Sequence, residues 1–94
     1  MSIYSIWESR FPLQSAPEGV EATRAIWGDM PCFDGYLEHQ VVEDLDQPGH
    51  LFVISRWSSR EAAEAALVYL SHPNAKRVDA LVSEPRRRTV GAAV

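Results

Sequence analysis

The sequence predicts an α+β domain in which helices cover one face of a four-stranded antiparallel sheet. Four segments alternate apolar and polar residues or are short and apolar, and two others repeat apolar residues at helical spacing. Proline and glycine turns separate these segments in the order strand, helix, strand, strand, helix, strand. With 94 residues, 46% of them hydrophobic, the chain is expected to form a single domain, 1–94, around one core.

The first strand is expected from Ile3 to about Arg10. Alternation along it places three residues on one face, namely Ser5, Trp7 and Ser9. Ser15-Ala16-Pro17-Glu18 then has the spacing of a capping box with proline in the first turn of a helix. This helix is expected over about residues 17–29, with Trp27 in its buried stripe and Pro31 ending it.

The two middle strands form a predicted hairpin. Asp34-Gly35 supplies a turn before the second strand, Tyr36–Glu43, and a polar loop follows it. The second strand presents one face made of Leu37, His39 and Val41. The third strand, His50–Trp57, is the most apolar and is therefore expected to be central, with Leu51, Val53, Ser55 and Trp57 on one face. His50, at the mouth of the hairpin, is expected to face solvent.

The second helical region begins at Ser58-Ser59-Arg60-Glu61, where Ser58 is the predicted cap, and extends to about residue 70. Ser71-His72-Pro73-Asn74 interrupts it before a shorter helix. The last strand is expected near Arg87–Ala92.

This βαββαβ order is the ferredoxin-like plan. Because Trp57 leads directly into the second helical region, its face of the sheet is expected to meet the helices. The other face would then be left uncovered, with apolar side chains at Tyr4, Ile6, Phe52 and Ile54. A second copy of the chain is expected to cover it, which predicts a homodimer built sheet against sheet.

Composition excludes several classes of protein. A net charge of −4 and a pI near 5.2 disfavour a nucleic-acid partner. No apolar run approaches the ~20 residues that span a bilayer, and no signal peptide is apparent, so we expect no membrane partner and a cytoplasmic protein. The single cysteine, Cys32, forms no intramolecular disulfide, and no zinc-ligand spacing occurs, so no metal is expected. Arg86-Arg87-Arg88 is expected to form salt bridges to the dimer partner.

Three motifs resemble the antibiotic biosynthesis monooxygenase family of dimeric α/β barrels over roughly residues 3–90. They are Pro31-Cys32-Phe33-Asp34-Gly35-Tyr36, Arg56-Trp57-Ser58-Ser59-Arg60-Glu61-Ala62 and Ser71-His72-Pro73-Asn74. The resemblance implies a cofactor-free oxygenase acting on anthrones or quinols, or a haem-degrading enzyme. Haem-degrading members share an asparagine, a tryptophan and a histidine at positions that correspond here to Ser9, Ala66 and Lys76. None matches, so haem degradation is disfavoured.

Cofactor-free members of the family carry tryptophan at the position of Trp57, and some carry histidine at that of His39. Other polar pocket positions of these members are Val53 and Ala63 here. The predicted catalytic residue is His39, which could take a proton from a phenol or anthrone or bind the resulting oxyanion. The predicted substrate-binding residues are Trp57, Trp7, Trp27, Ser9 and Ser55, the rings stacking on a small aromatic molecule and the hydroxyls, with that of Ser5, orienting its oxygens. No cofactor is implied.

Two functions remain open: a cofactor-independent monooxygenase oxidising a small aromatic substrate, and a non-catalytic ligand-binding or accessory dimer. A histidine on an apolar strand face is also an ordinary hydrogen-bonded core residue. The enzyme interpretation gains if His39 faces a cavity beside Trp57. The accessory interpretation gains if Trp7 and Trp27 fill that cavity.

Overall fold

Four strands form one antiparallel sheet in the order β2-β3-β1-β4, with every helix on the same side. A computed structural model describes residues 2–94. The strands are β1 (Ile3–Arg10), β2 (Tyr36–Glu43), β3 (His50–Trp57) and β4 (Arg87–Ala92). The helices are α1 (Ala16–Asp29), α2 (Arg60–Ala65) and α3 (Pro73–Leu81). This order confirms the ferredoxin-like α+β fold.

The two central strands set which side chains meet the helices. β1 and β3 pair so that Ser5 lies opposite Ser55 and Trp7 lies opposite Val53. The buried members of this face are Ser5, Ser9, Leu51, Val53, Ser55 and Trp57. The Trp57 face therefore packs against the helices, as predicted, and the three serines share it.

A β-bulge in β2 corrects one prediction. Tyr36 pairs with Trp57 and Glu38 with Arg56, so Leu37 is an extra residue between two consecutive pairs. Leu37 is exposed, and Tyr36 takes the helix-facing position beside His39. The prediction that Leu37 shares a face with His39 was wrong because strict alternation does not hold across a bulge.

The entrance to α2 also differs from the prediction by one residue. Ser59, not Ser58, is the N-cap, and its hydroxyl accepts a hydrogen bond from the backbone N–H of Ala62 at 3.1 Å. The backbone N–H of Ser58 instead donates to the carbonyl of Gly35 at 2.8 Å. The α-helix ends at Ala65 and continues as a 3₁₀ segment, Ala66–Ser71, rather than as one helix to about residue 70.

His50 was predicted to face solvent, and this was wrong. Its side chain is only 9% exposed and lies between two carboxylates, Glu8 Oε2 at 2.5 Å and Asp44 Oδ2 at 2.8 Å. The hydrogen bond to Asp44, followed by that to Glu8, raises the pKa of His50. The imidazole therefore ties the β2–β3 loop to β1.

The opposite face of the sheet carries a mixture of apolar and charged side chains. Tyr4, Ile6 and Phe52 are half-buried on this face, and Val42 and Ile54 are exposed. Arg56 pairs with Glu38 at its edge, with Nη2 and Oε2 2.5 Å apart. In the part of the chain that the structure describes, no helix is long and apolar enough to cross a membrane.

Candidate active site

A small enclosed cavity lies between the sheet and the helices. Its walls include all three tryptophans, Trp7, Trp27 and Trp57. The polar residues in its lining are Ser5, Tyr69, Arg86 and Arg88. The volume of the cavity is about 30 Å³, which is room for one water-sized molecule. The aromatic residues predicted to form a binding site are therefore brought together.

An open cleft of about 600 Å³ adjoins this cavity. It lies between the C-terminal end of α3, the segment 82–86 and the ring of Trp7. The cleft and the cavity share Trp7, Leu70 and Arg86. The cleft therefore lies directly beside the cavity.

Two of the three predicted serines, Ser9 and Ser55, are buried in the sheet rather than at the cavity wall. Trp57 Nε1 donates to the hydroxyl of Ser55 at 2.9 Å, and that hydroxyl donates to the carbonyl of Ser5 at 3.1 Å. Ser55 thus satisfies the indole N–H of Trp57, which is itself almost fully buried. Ser9 is also buried, and neither Ser9 nor Ser55 lines the cavity. Ser5 is the serine at its wall.

His39 lies beside the cavity without forming its wall. Its Nδ1 is 2.6 Å from the hydroxyl of Tyr36, and its ring centroid is 5.4 Å from that of Trp27. Trp27 lines the cavity, whereas His39 does not. Partial burial lowers the pKa of His39, so that the neutral imidazole is favoured. The catalytic role of His39 stays a prediction.

Two arginines at the cavity were not among the predicted site residues. The guanidinium carbon of Arg86 lies 4.7 Å from the centroid of Trp7, and that of Arg88 lies 5.9 Å from it. Each also has an acidic neighbour within the chain, Asp79 for Arg86 and Glu64 for Arg88. The sequence did contain a signal for this pair. Residues two apart in an extended segment share a face, so Arg86 and Arg88 could have been predicted to point the same way, with Arg87 pointing the other way.

Tyr69 is a second residue that sequence reasoning missed. Its ring lines the cavity, and its hydroxyl donates to Asp29 Oδ2 and accepts from Asn74 Nδ2 at 3.1 Å. Burial, followed by the hydrogen bond to Asp29, raises the pKa of Tyr69. Within residues 2–94, no group of three or more histidine, cysteine, aspartate or glutamate side chains is placed to hold a metal ion.

The protein is thus a small α+β domain with a ferredoxin-like sheet and an aromatic cavity between that sheet and its helices. The family model described as antibiotic biosynthesis monooxygenase matches residues 16–77. That match spans more than half of the chain, so the protein belongs to this family.

Solved structures share the fold. One is SnoaB, a cofactor-independent oxygenase from Streptomyces nogalater, with 14% identity and a TM-score of 0.83 over 99% of this chain and 93% of the other. A second, from Deinococcus radiodurans and provisionally assigned as an antibiotic biosynthesis monooxygenase, has 26% identity and a TM-score of 0.75 over 100% and 93%. A third, Rv0793 from Mycobacterium tuberculosis, has 22% identity and a TM-score of 0.69 over 100% and 96%. Among curated proteins, no sequence gives a significant match.

Proposed function

We propose that this protein is a cytoplasmic, cofactor-independent monooxygenase that oxidises a small aromatic substrate, such as an anthrone, a quinol or a polyketide-like phenol, with molecular oxygen. The observation that carries the proposal is the meeting of Trp7, Trp27 and Trp57 around one cavity that lies beside a cleft. Membership of the monooxygenase family supports it. The description of SnoaB as a cofactor-independent oxygenase agrees with it.

The reaction needs no external reductant because the substrate supplies the electrons. In an anthrone, the methylene carbon loses two hydrogens and gains one oxygen atom from O₂ to become a ketone. The second oxygen atom leaves as water with those two hydrogens. The tasks left to the protein are to bind and orient the ring system, to exclude water and to accept a proton.

The volumes indicate where a polycyclic substrate would lie. The enclosed cavity, about 30 Å³, is too small for a three-ring molecule, whereas the adjoining cleft measures about 600 Å³. Ligand sites generally occupy roughly 300 to 1,000 Å³. We therefore place the substrate in the cleft, with one ring against Trp7 and its reacting edge directed toward Trp27 and Trp57.

Oxygen transfer is expected on a panel of anthrones, hydroquinones and related phenols without added metal or flavin. With ¹⁸O₂, the product should gain one labelled atom, measured by mass spectrometry alongside oxygen uptake. Replacing Trp7 by leucine should lower kcat/KM about fivefold, since an aromatic stack contributes on the order of 1 kcal/mol beyond its buried area. Leu13→Ala is the control, because Leu13 is exposed and does not line the cavity or cleft.

A non-catalytic ligand-binding or accessory dimer is the second candidate function. It is favoured by the small enclosed volume and by the position of His39 outside the cavity wall. Absence of labelled product from every member of the panel, with ligands still bound, would select this function over the oxygenase.

We also propose that the protein is a homodimer joined through the uncovered face of the sheet. Apolar side chains of three of the four strands reach this face, including Ile6 on β1, Val42 on β2 and Ile54 on β3. A second copy would remove them from water. Light scattering after size exclusion should give twice the chain mass for the wild type and for Leu13→Asp, and the monomer mass for Ile54→Asp. A monomeric wild type would contradict the proposal.

A further inference from the structure

We propose that Arg86 and Arg88 bind the carboxylate of a planar aromatic acid whose ring packs beside Trp7. The proposal concerns the ligand site of the proposed function and makes that site selective for aromatic acids over neutral aromatics. It can be tested by binding alone.

Both guanidinium groups lie above a single indole. Their central carbons are 4.7 Å and 5.9 Å from the Trp7 ring centroid, for Arg86 and Arg88 respectively. Both side chains line the enclosed cavity, and Arg86 and Trp7 also border the cleft. Asp79 and Glu84 border the cleft as well, whereas the cavity is lined by both arginines and by neither of these carboxylates. A ligand that lies against Trp7 would therefore direct its own carboxylate toward the cavity, where both positive charges are.

The hydrogen-bonding capacity of Arg88 is incompletely used. Its Nε atom is buried and has no acceptor among the residues that the structure describes. Its terminal nitrogens make long contacts, 3.3 Å to Glu64 Oε1 and 3.5 Å to the carbonyl of Ala63. A buried donor without an acceptor is unfavourable, so an oxygen atom supplied by a ligand would stabilise it.

The two arginines and their acidic neighbours differ in exposure. The side chains of Arg86 and Arg88 are 10% and 17% exposed, whereas those of Asp79 and Glu64 are 52% and 42% exposed. Ion pairs whose carboxylate is largely in water contribute little, because solvent screens them. A ligand carboxylate on the inner side would be less screened and could accept two parallel N–H bonds from one guanidinium. Asp79 is then a replaceable partner that competes with the ligand.

The probes are 2-naphthoate and its neutral counterpart 2-naphthamide, which present the same ring with and without a charge. Isothermal titration at pH 7 should show the wild type binding 2-naphthoate about tenfold or more tightly, as charge-assisted bonds predict. Arg88→Gln should abolish this preference while its affinity for 2-naphthamide stays unchanged. Asp79→Asn should tighten the binding of 2-naphthoate, because it removes the competing carboxylate.

Arg87→Gln is the matched control. Arg87 is exposed and neighbours both arginines in sequence, but it does not line the cavity or the cleft. This variant should keep the preference for 2-naphthoate. Thermal melts of each variant by circular dichroism separate loss of binding from loss of folding. If Arg88→Gln does not fold, the test uses two other variants. Arg86→Gln is expected to reduce the preference for 2-naphthoate, and Asp79→Asn is expected to increase it.

Equal affinity of the wild type for the two probes would overturn the proposal, and so would a preference that survives in Arg88→Gln. The outcome is separable from that of the oxygen-transfer experiment. A preference for the acid without any oxygen incorporation would support this inference and contradict the monooxygenase. Oxygen transfer to neutral anthrones without a preference for the acid would support the monooxygenase and contradict this inference.

Discussion

Replacing Gly35 by alanine is expected to lower the melting temperature by about 10 to 20 °C. Gly35 has a φ of +85°, a conformation that is unfavourable for a residue with a side chain. A Cβ atom there would also overlap the Cβ of Ala62 and lie 2.8 Å from the hydroxyl of Ser58. Strain and overlap together should cost roughly 2 to 4 kcal/mol, and each kcal/mol shifts the midpoint by about 4 to 8 °C in a domain of this size.

The effect reaches the site because this turn joins β2 to the beginning of α2. The carbonyl of Gly35 accepts the backbone N–H of Ser58 at 2.8 Å, directly after Trp57. Gly28→Ala is the matched control, since a Cβ at Gly28 within α1 meets nothing within 4 Å. It should raise stability by roughly 0.5 to 1 kcal/mol, because alanine has the higher helix propensity. Thermal unfolding followed by circular dichroism checks both variants, and an unchanged midpoint for Gly35→Ala would contradict the strain argument.

The sequence predicted the strands well because burial imposes a period of two on them. The bounds predicted for β2 and β3 match the structure. The alternation of side chains along β1 and β3 also placed Ser5 and Ser55 correctly on the helix-facing side. The bulge at Leu37 was not predictable in this way. A bulge is a property of two paired strands, and the alternating pattern of one strand carries no information about the spacing on its neighbour.

The aromatic part of the site was predictable, and the charged part was not. Alternation along the strands placed Trp7 and Trp57 on the helix-facing side, and helical spacing allowed Trp27 to face them, so their meeting was expected. Arg86 and Arg88 reach Trp7 with long side chains whose direction depends on where α3 ends. His50 was assigned to solvent for a similar reason, since its partners Glu8 and Asp44 are 42 and 6 residues away in sequence. Contacts between distant segments are set by tertiary packing.

Replacing His39 by alanine is expected to lower kcat/KM at least about 100-fold if the imidazole is the proton acceptor, which is the usual effect of losing a general base. The structure adds a requirement to this prediction. His39 contacts Trp27, and of these two side chains Trp27 alone lines the cavity, so the imidazole would reach a substrate there only if the Trp27 side chain shifts. The effect can be measured by single-turnover oxidation of a substrate that the panel identifies. Gln40→Ala is the control, because Gln40 is an exposed neighbour of His39 on β2.

The pH dependence supplies an independent readout. Only the neutral imidazole accepts a proton, and burial lowers the pKa of His39 below its ordinary value of 6.5. The value of kcat/KM should therefore rise with pH through the lowered pKa and be level at neutral pH. Tyr36→Phe removes the hydroxyl 2.6 Å from Nδ1. If that hydroxyl donates to the neutral ring, its loss should raise the pKa of His39 and move the acidic limb to higher pH.

A purely structural His39 gives a different set of results. His39→Ala would then lower thermal stability without changing the shape of the pH profile, and Tyr36→Phe would leave the acidic limb in place. Turnover that is unchanged in a folded His39→Ala protein would remove the imidazole from the mechanism. In that case the proton must leave the substrate directly to solvent through the cleft beside Trp7, where the positive charge of Arg86 would favour ionisation of the substrate.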